Sequence, residues 1–440
     1  MKKNNSTLVM IALIFATLIG WYSVLNNRAE MQQKYNDYII KAQKFEEKEI
    51  YIDALENYRF ALELNSGDFD LTVKISDMYY KLGDKDGFID MSEAAIKIDP
   101  YNAEPYIKEA NYYTDISDYH NALEVVERAK KWIDDNEELN ILMEILSVKV
   151  VNKYISFEKC MDWHIQGEEN YVPSYSGDKW GLIDSNGRKV ILSDFDYLGA
   201  YNSESGVLPA CKEGVWYYVD LNGYKKLIGD EKYQFLGSFG NGLAPAQRNN
   251  LYGYIDKDFK EQRFEFNFAG CFAENVAAVQ KNKKWALISK DLKEITGYDY
   301  DDIKLDDYGF CSMYGLVSAK KGNTWQLLGL DGKSISDELF DDIKLPAAKD
   351  EPIAVKLNGK WGFVDIKGKI IIQPTYRDAG SFSLGLAPVQ VNDNWGYINL
   401  ENELKIESVY AHAKPFSADG RAVIHDGYFC DFIVLCKYDE

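Results

Sequence analysis

An aromatic residue, usually Trp and often followed by Gly, recurs every 33 to 40 residues through positions 170–440, and this period restricts the fold more than any other feature. The recurring positions are Trp180, Trp216, Tyr252, Trp285, Trp325, Trp361, Trp395 and, in a degenerate copy, Tyr428. A fixed period of tens of residues indicates a repeat architecture in which each unit buries its apolar side against its neighbours. Residues 170–440 are therefore predicted to form an array of seven to eight repeats.

Each repeat has the pattern of short strands joined by tight turns. In KWGFVDIKGKIIIQP (360–374), alternation along a strand places Trp361 and Phe363 on one face. Gly362 has no Cβ, so a large neighbour can pack across the strand there. Residues 365–368 begin with Asp and end with Gly, a turn sequence in which Asp bonds its own backbone and Gly adopts positive φ. The pattern predicts an all-β repeat with about four strands.

These repeats resemble the WG-repeat family, through the Trp-Gly pairs at 180, 361 and 395 and the Tyr-Gly pair at 252. The resemblance extends over more than half of the chain, although copies four, five and eight have drifted from the motif. A unit of about 36 residues has the size of a propeller blade. When the predicted strands are counted by their position in the repeat, two positions occur eight times and the other positions occur seven times. A closed propeller and an open β-superhelix therefore both remain possible.

A second repeat, with a step of 34 residues, occupies positions 30–156. Alanines recur in phase at Ala61, Ala95 and Ala129, where two helices must approach closely. This pattern resembles the tetratricopeptide repeat, with three copies between Tyr35 and about Asn136. The resemblance implies an all-α superhelix, which we expect a helix within residues 136–154 to cap.

The concave face of such a superhelix is its usual binding surface, and it is lined by the first helix of each repeat. By repeat phase, the candidate groove residues are Asn36, Ile39, Gln43, Asp77, Tyr80, Lys81, Asn111 and Thr114. Some relatives hold a peptide carboxylate with Lys and Asn in the first repeat, where this chain has Ile39 and Gln43. The groove is therefore expected to bind a protein or peptide partner without that carboxylate clamp.

The stretch Leu8–Leu25 carries no charge and follows Lys2 and Lys3. Its 18 residues would span about 27 Å as a helix, close to the ~30 Å of a bilayer core. We expect residues 1–29 to be an uncleaved signal anchor, with a cleaved signal peptide as the alternative. The positive charges favour an N-terminus on the cytoplasmic side of the cell membrane, with the remaining chain outside the cytoplasm. Residues 157–169 are predicted to be a linker.

Several function classes are disfavoured. The net charge of −20 argues against nucleic acid, whose phosphates require a basic surface. No nucleophile, metal-ligand or dinucleotide motif occurs, so no catalytic, metal-binding or cofactor-binding residue is predicted, and the chain is expected not to be an enzyme. Asp-to-Gly turns could form a calcium ladder, but one Asp in each repeat supplies too few oxygen ligands.

The six cysteines include no C-x-x-C pair. Cys271 and Cys311 occupy equivalent places in adjacent repeats and are expected to be neighbours.

Two functions fit these features. The first is a membrane-tethered scaffold that binds proteins through the helical groove and the surface of the β-repeats. The alternative is a protein that binds cell-envelope glycans through exposed aromatic residues of the β-repeats, with the helical part as a spacer.

Overall fold

The computed structural model describes residues 4–160, 171–227 and 233–438, with the backbone alone for 4–20, 22–24 and 160. The chain divides into two compact units. We call Met1–Ser147 the helical unit and Val148–Glu440 the β unit. The predicted division into an all-α part and an all-β part is therefore present.

The helical unit consists of hairpins of neighbouring helices. Its helices are α1 (Asn4–Glu46), α2 (Tyr51–Leu64), α3 (Phe69–Leu82), α4 (Lys85–Ile98), α5 (Glu104–Asp115), α6 (Tyr119–Lys130) and α7 (Glu137–Ser147). The in-phase alanines Ala61, Ala95 and Ala129 are fully buried, as the repeat requires. The arrangement is TPR-like, with α1, α3 and α5 as the first helices of successive repeats.

Local sequence sets where these helices begin and end. Asp68 and Asp84 precede α3 and α4, and each side chain accepts a hydrogen bond from a backbone N–H in the first turn. Gly83 ends α3 with φ of 72°, a left-handed conformation that glycine adopts without steric cost.

The capping helix is shorter than expected. It ends at Ser147, and residues 150–157 form strand β1 (Val150–Phe157) of the β unit. The segment VVNKYISF is rich in β-branched and aromatic residues, which favour a strand once a partner strand is available. Of the predicted linker, residues 161–169 lie outside the described residues.

The predicted membrane span, Leu8–Leu25, lies within α1, and most of its side chains are outside the description. Among the described residues, no helix combines the length and the apolar character needed to cross a bilayer. The structure therefore gives the membrane anchor no support.

The described strands of the β unit pair into eight antiparallel sheets, which are the blades of a propeller. Blades 1 to 4 contain β2 (Lys159–Cys160), β3 (Tyr171–Ser176), β4 (Lys179–Asp184), β5 (Lys189–Phe195); β6 (Tyr197–Leu198), β7 (Leu208–Lys212), β8 (Val215–Val219), β9 (Lys225–Leu227); β10 (Phe235–Leu236), β11 (Ala244–Arg248), β12 (Leu251–Ile255), β13 (Glu261–Phe266); and β14 (Phe268–Ala269), β15 (Val276–Lys281), β16 (Lys284–Ser289).

Blades 5 to 8 follow in chain order. They contain β17 (Asp302–Ile303), β18 (Ser312–Met313), β19 (Leu316–Lys321), β20 (Thr324–Gly329); β21 (Asp342–Ile343), β22 (Ile353–Leu357), β23 (Lys360–Val364), β24 (Ile370–Tyr376); β25 (Ala387–Val391), β26 (Asn394–Ile398), β27 (Leu404–Tyr410); and β28 (His412–Ala413), β29 (Arg421–His425), β30 (Cys430–Leu435). A 3₁₀ turn, Cys436–Tyr438, follows. In blade 5, both β17 and β18 pair with β19. We call the edge that carries the first, short strand of a blade its inner edge, because residues that follow this strand in blades 2, 4 and 5 meet in one cluster.

The ring is closed by β1, which pairs with β30 and forms the outer strand of blade 8. Two backbone N–H groups of β1, at Ile155 and Ser156, donate to one oxygen of the buried Asp431 carboxylate, each at 2.7 Å. Of the two arrangements that the sequence allowed, the closed propeller is therefore the correct one. The strand that completes the count lies before the first repeat.

Neighbouring blades share cores and hydrogen bonds. Trp361 and Phe363 of blade 6 pack with Ala387 and Val389 of blade 7 in one cluster. A recurring tyrosine, two residues after the lead aromatic, bonds the next blade. The hydroxyls of Tyr218, Tyr254 and Tyr397 donate to the backbone oxygens of Gly237, Gly270 and Lys414.

The prediction that Cys271 and Cys311 are neighbours agrees with the backbone pairing. Cys271 forms a bridge with Phe310, the residue before Cys311, and its N–H donates to Gly309 O at 2.8 Å. Neither Cys271 nor Cys311 forms a disulfide in the structure, and both are buried. Burial raises the pKa of Cys311 to about 12, so this thiol is protonated at neutral pH.

Candidate functional site

The lead aromatic residues are mostly structural. Trp285, Trp325, Trp361 and Trp395 are at most 9% exposed. The first three lead positions, Trp180, Trp216 and Tyr252, are half-buried. Only Tyr428, among these eight, is strongly exposed, at 83%.

The lead aromatics of blades 2 to 4 belong to a continuous row of rings. Neighbouring ring centroids lie 5.0 to 5.9 Å apart along the row Tyr197, Trp216, Phe235, Tyr252, Phe268 and Trp285. Such contacts stabilise packing between blades. Because the aromatics are used in this way, stacking of glycans on them has less support than the scaffold hypothesis.

In the helical unit, three of the predicted groove residues occupy one position in successive repeats. Gln43, Asp77 and Asn111 follow each other at steps of 34 on α1, α3 and α5. Gln43 and Asn111 are exposed, and Asp77 is half-buried. The structure therefore places one polar side chain from each first helix at an equivalent, accessible position.

Asp77 is held by Lys108, which reaches across from α5. The Lys108 Nζ lies 2.8 Å from Asp77 Oδ1 and 2.9 Å from Glu104 Oε1. Burial would lower the pKa of Lys108, but the hydrogen bonds from both carboxylates outweigh it and raise the pKa. The Asp77 carboxylate is thus fixed in the groove by a charged partner.

Tyr80 and Lys81 extend the surface at the C-terminal end of α3. Tyr80 is 50% exposed and lies against Phe88 and Tyr112, with ring centroids 5.5 and 6.2 Å away. Lys81 lies 4.9 Å from the ring centre of Tyr51 and 3.4 Å from Glu46. Tyr80 therefore offers an accessible ring that its neighbours hold in place.

The remaining predicted residues are less available. Ile39 is half-buried against the core of the first repeat. The hydroxyl of Thr114 donates to Ala110 O of its own helix at 2.8 Å. Asn36 is exposed and accepts a hydrogen bond from Gln32 one turn earlier.

Sequence reasoning missed the ion pairs that organise this surface. Glu46 accepts from Lys74 at 2.7 Å and from Tyr58 Oη at 2.8 Å. Burial acts to raise the pKa of Glu46, but these hydrogen bonds lower it overall. The signal was present in the sequence, because Lys74 and Lys108 are also 34 residues apart.

Asn111 borders an open cleft between α5 and the start of α7. The cleft has a volume of about 760 Å³, and its walls include Ile107, Lys108, Asn136 and Glu138. The last repeat thus adds a concave space beside the in-phase positions.

Within the described residues, no group of three or more His, Cys, Asp or Glu side chains is placed to hold a metal ion. The turn aspartates are used by the backbone. Asp365 Oδ1 accepts hydrogen bonds from the N–H groups of Lys367 and Lys369, each at 2.9 Å. Asp184 makes equivalent bonds in blade 1. This is the turn chemistry that the sequence predicts.

Comparison with known proteins identifies the β-repeats. The family described as WG containing repeat matches residues 180–216, 232–252, 252–285, 361–395 and 395–424, which together are less than half of the chain. The two unmatched copies between 285 and 361 are among those that have drifted from the motif. The chain is thus a repeat protein in which TPR-like helices precede an eight-bladed propeller of WG-type β-repeats.

No curated protein sequence matches the chain significantly. Solved structures align with about a quarter of it. The TPR2B domain of yeast Sti1 in a complex with an Hsp70 peptide has 19% identity and a TM-score of 0.23, covering 26% of this chain and 97% of that one. The second TPR domain of human RPAP3 with an Hsp70 peptide has 13% identity and a TM-score of 0.24, covering 27% and 99%. Because these TM-scores are below 0.5, the alignments carry no weight for fold or function.

Proposed function

We propose that this chain is a non-enzymatic binding scaffold whose helical unit recognises an extended segment of a protein partner. The main support is the row Gln43, Asp77 and Asn111, which presents one polar side chain from each repeat. An amide side chain has both donors and an acceptor, so Gln43 and Asn111 can pair with both groups of a peptide backbone. Polar side chains at a regular spacing suit a ligand whose backbone is itself regular.

Tyr80 supplies the apolar contact of this proposed site. Its ring is half exposed and is supported from behind by Phe88 and Tyr112. Rigid, partly exposed aromatic residues are frequent hot spots in protein interfaces. The cleft beside Asn111 would accept a further side chain of the partner.

The test is to capture partners from a lysate of the source cells with the full chain and with the double variant Tyr80→Ala/Asn111→Ala. Loss of a hot-spot aromatic typically costs about 2 kcal/mol or more, which is roughly 30-fold in affinity. We expect the double variant to lose a subset of partners. The matched control is Ile52→Ala/Glu127→Ala, which removes one exposed apolar and one exposed charged residue from α2 and α6. Circular dichroism must first show that both variants fold.

An unchanged set of partners for the double variant would contradict the proposal and leave the helical unit as a spacer. Equal losses for the control variant would also contradict it, because the effect would then not depend on the groove.

We further propose that residues 1–29 tether the chain to the cell membrane, with the N-terminus inside and the two units outside the cytoplasm. The support is the uncharged stretch Leu8–Leu25 after Lys2 and Lys3. The full chain should remain in the membrane pellet after alkaline extraction, whereas a chain beginning at residue 30 should be soluble. Externally added protease should digest both units in intact spheroplasts, and their protection would contradict the orientation.

A further inference from the structure

A cavity of about 270 Å³ opens where the inner edges of blades 5 to 8 converge. Many of its wall residues lie in, or directly after, the short first strands of blades 5, 6 and 8, and blade 7 contributes Ala379, Gly380 and Ser381. This is the region around the propeller axis, where side chains from several blades meet. All of its wall residues belong to the β unit, and none belongs to the proposed peptide site.

The residue that directly follows the short first strand of a blade is not the same around the ring. In blades 2, 3 and 4 this position is glycine, at Gly199, Gly237 and Gly270. In blades 5, 6 and 8 it is lysine, at Lys304, Lys344 and Lys414, and all three lysines line the cavity. A chain with a net charge of −20 thus concentrates cations at one place on its β unit.

Two of these lysines are held in position by the neighbouring blade. Lys304 Nζ lies 2.9 Å from Asp342, and Lys344 Nζ lies 3.2 Å from Asp378. Each also lies over the lead Trp of its own blade, at 4.5 Å for Lys304 and 4.7 Å for Lys344. An ammonium group has three donors, so one carboxylate does not exhaust it.

Each of the three lysines has a carboxylate partner, at 2.9 Å for Lys304, 3.2 Å for Lys344 and 3.6 Å for Lys414, so a bound anion would pair with the remaining donors of these ammonium groups. Asp306 is the one carboxylate on the described wall, and its Oδ1 accepts from the backbone N–H groups of Tyr308 and Phe310 at 2.9 and 2.8 Å. The partners of the three lysines, Asp342, Asp378 and Asp307, are not part of the wall.

Blade 7 leaves a gap in the row of lysines. Gly380 takes the lysine position there, and a Cβ at this residue would lie 2.8 Å from Pro388 and 3.1 Å from Pro415. Two residues before the lysine position, blades 6 and 7 have Asp342 and Asp378, whereas blade 8 has His412. Blade 8 therefore has an imidazole, rather than a carboxylate, at this position near Lys414.

His412 lies on the cavity wall together with Lys414. Its ring lies 4.7 Å from that of Trp395. Partial burial lowers the pKa of His412 and the nearby Lys414 lowers it further, whereas Asp378 acts to raise it. The imidazole is therefore neutral at pH 7, and an anion bound beside it would raise its pKa.

Apart from Ser381 and Ser417, the rest of the wall is mainly apolar. It includes Leu345, Pro346, Phe416 and Met313, together with the ring of Trp395. Ligand pockets typically measure ~300–1,000 Å³, so this cavity suits a small molecule or the end of a chain. Its lysines can donate hydrogen bonds to an anionic group, and its apolar side can pack against a hydrocarbon or aromatic body.

We propose that this cavity binds a carboxylate that carries an apolar body, with Lys344 and Lys414 as its cationic contacts. Such a group occurs in free small organic acids and at the C-terminus of a polypeptide that ends in an apolar residue. The chemistry of recognition is the same for both sources.

The experiment is calorimetric titration of the full chain with the N-acetyl derivatives of alanine, leucine and phenylalanine, each as the free acid and as the carboxamide. A pentapeptide that ends in phenylalanine, with a free or an amidated C-terminus, forms the second arm. At least one acid of leucine or phenylalanine should bind, and its amide should bind at least about tenfold more weakly because the charge-assisted hydrogen bonds are lost. Binding by the peptide alone would identify a chain terminus as the source, and binding by an N-acetyl acid alone a free small acid.

Lys344→Gln and Lys414→Gln are each expected to weaken the acid at least about tenfold while leaving binding of the amide unchanged. Lys333→Gln is the matched control, because Lys333 is 83% exposed and lies on a turn outside the cavity. In NMR titrations, the bound acid should raise the pKa of His412. Absence of binding by all acids, equal binding of acid and amide, or unchanged affinity in both cavity variants would overturn the proposal.

Discussion

At the residue scale, the glycine of the Trp-Gly pair is required by the backbone of the next strand. A Cβ on Gly181, Gly362 or Gly396 would lie 2.6 Å from a carbonyl oxygen of the outer strand. In each case the pairing register shifts at this point, so a bulge brings the outer strand over the glycine. Copies four and five have Ala286 and Gln326 instead, and their outer edges are formed by isolated bridges rather than by a paired strand.

This close contact predicts that adding one methyl group at the glycine lowers the stability of the β unit. Gly362→Ala should destabilise the β unit by about 2 kcal/mol or more, because the backbone atoms it meets cannot rotate away. Gly329→Ala is the control, since its Cβ would approach one atom, Oδ1 of the exposed Asp331, at 3.2 Å. Urea unfolding followed by tryptophan fluorescence measures both. Similar losses in the two variants would mean that the bulge contact is not the reason for glycine.

At the element scale, a charged cluster joins α4, α5 and α6 of the helical unit, and its member Glu109 is buried. Glu109 is 3% exposed, and its Oε2 lies 3.4 Å from Arg128 Nη2, while Glu93 lies 2.5 Å from Arg128 Nη1. Desolvation, followed by the charge of Glu93, raises the pKa of Glu109 from its ordinary 4.5 to about 7, although Arg128 opposes the shift. Glu109 thus binds a proton more tightly in the folded chain than in the unfolded chain.

The resulting pH dependence has the opposite sign to that of an ordinary paired carboxylate. Between about pH 4.5 and pH 7 the folded state holds a proton that the unfolded state has lost, so stability falls as the pH rises. The difference amounts to about 3 kcal/mol above pH 7. Glu109→Gln should remove this decline when thermal unfolding is followed by circular dichroism at 222 nm across that range. A parallel decline in the wild type and the variant would assign it to other groups.

Elements differ in how far the sequence predicts them. The alanine step of 34 and the Asp-to-Gly turns follow from local sterics, and the buried alanines and the bonds of Asp365 agree with them. The cluster of Lys304, Lys344 and Lys414 was not predicted, because each lysine is an ordinary surface residue within its own repeat. Their proximity depends on ring closure, which no local pattern contains.

At the scale of the whole molecule, closure joins segments that are far apart in sequence. The Asp431 carboxylate and the Ile155 N–H are separated by 276 residues. Residues 150–157 follow a helix and lack the Trp-Gly motif, so the sequence predicts residues 150–156 as helical and residue 157 as the start of the linker. Residues 150–157 form strand β1 by pairing with the outer edge of β30 in the last blade.

Closure therefore predicts a sharp boundary for the β unit. A fragment of residues 148–440 should unfold in one transition, because every described blade then has its neighbours on both sides. A fragment of residues 158–440 loses β1 and leaves the apolar edge of β30 open, including Phe432 and Val434. Exposed strand edges pair with other chains, so this fragment should melt at a lower temperature and associate as its concentration rises.

The matched control keeps every strand and removes only the Asp431 carboxylate that holds β1. Asp431→Ala in 148–440 should lose about 1–3 kcal/mol of stability, because two backbone N–H groups are left without their acceptor. Calorimetry and sedimentation velocity distinguish the three proteins. If the 158–440 fragment is monomeric and has the same melting temperature as the 148–440 fragment, β1 does not close the ring in solution.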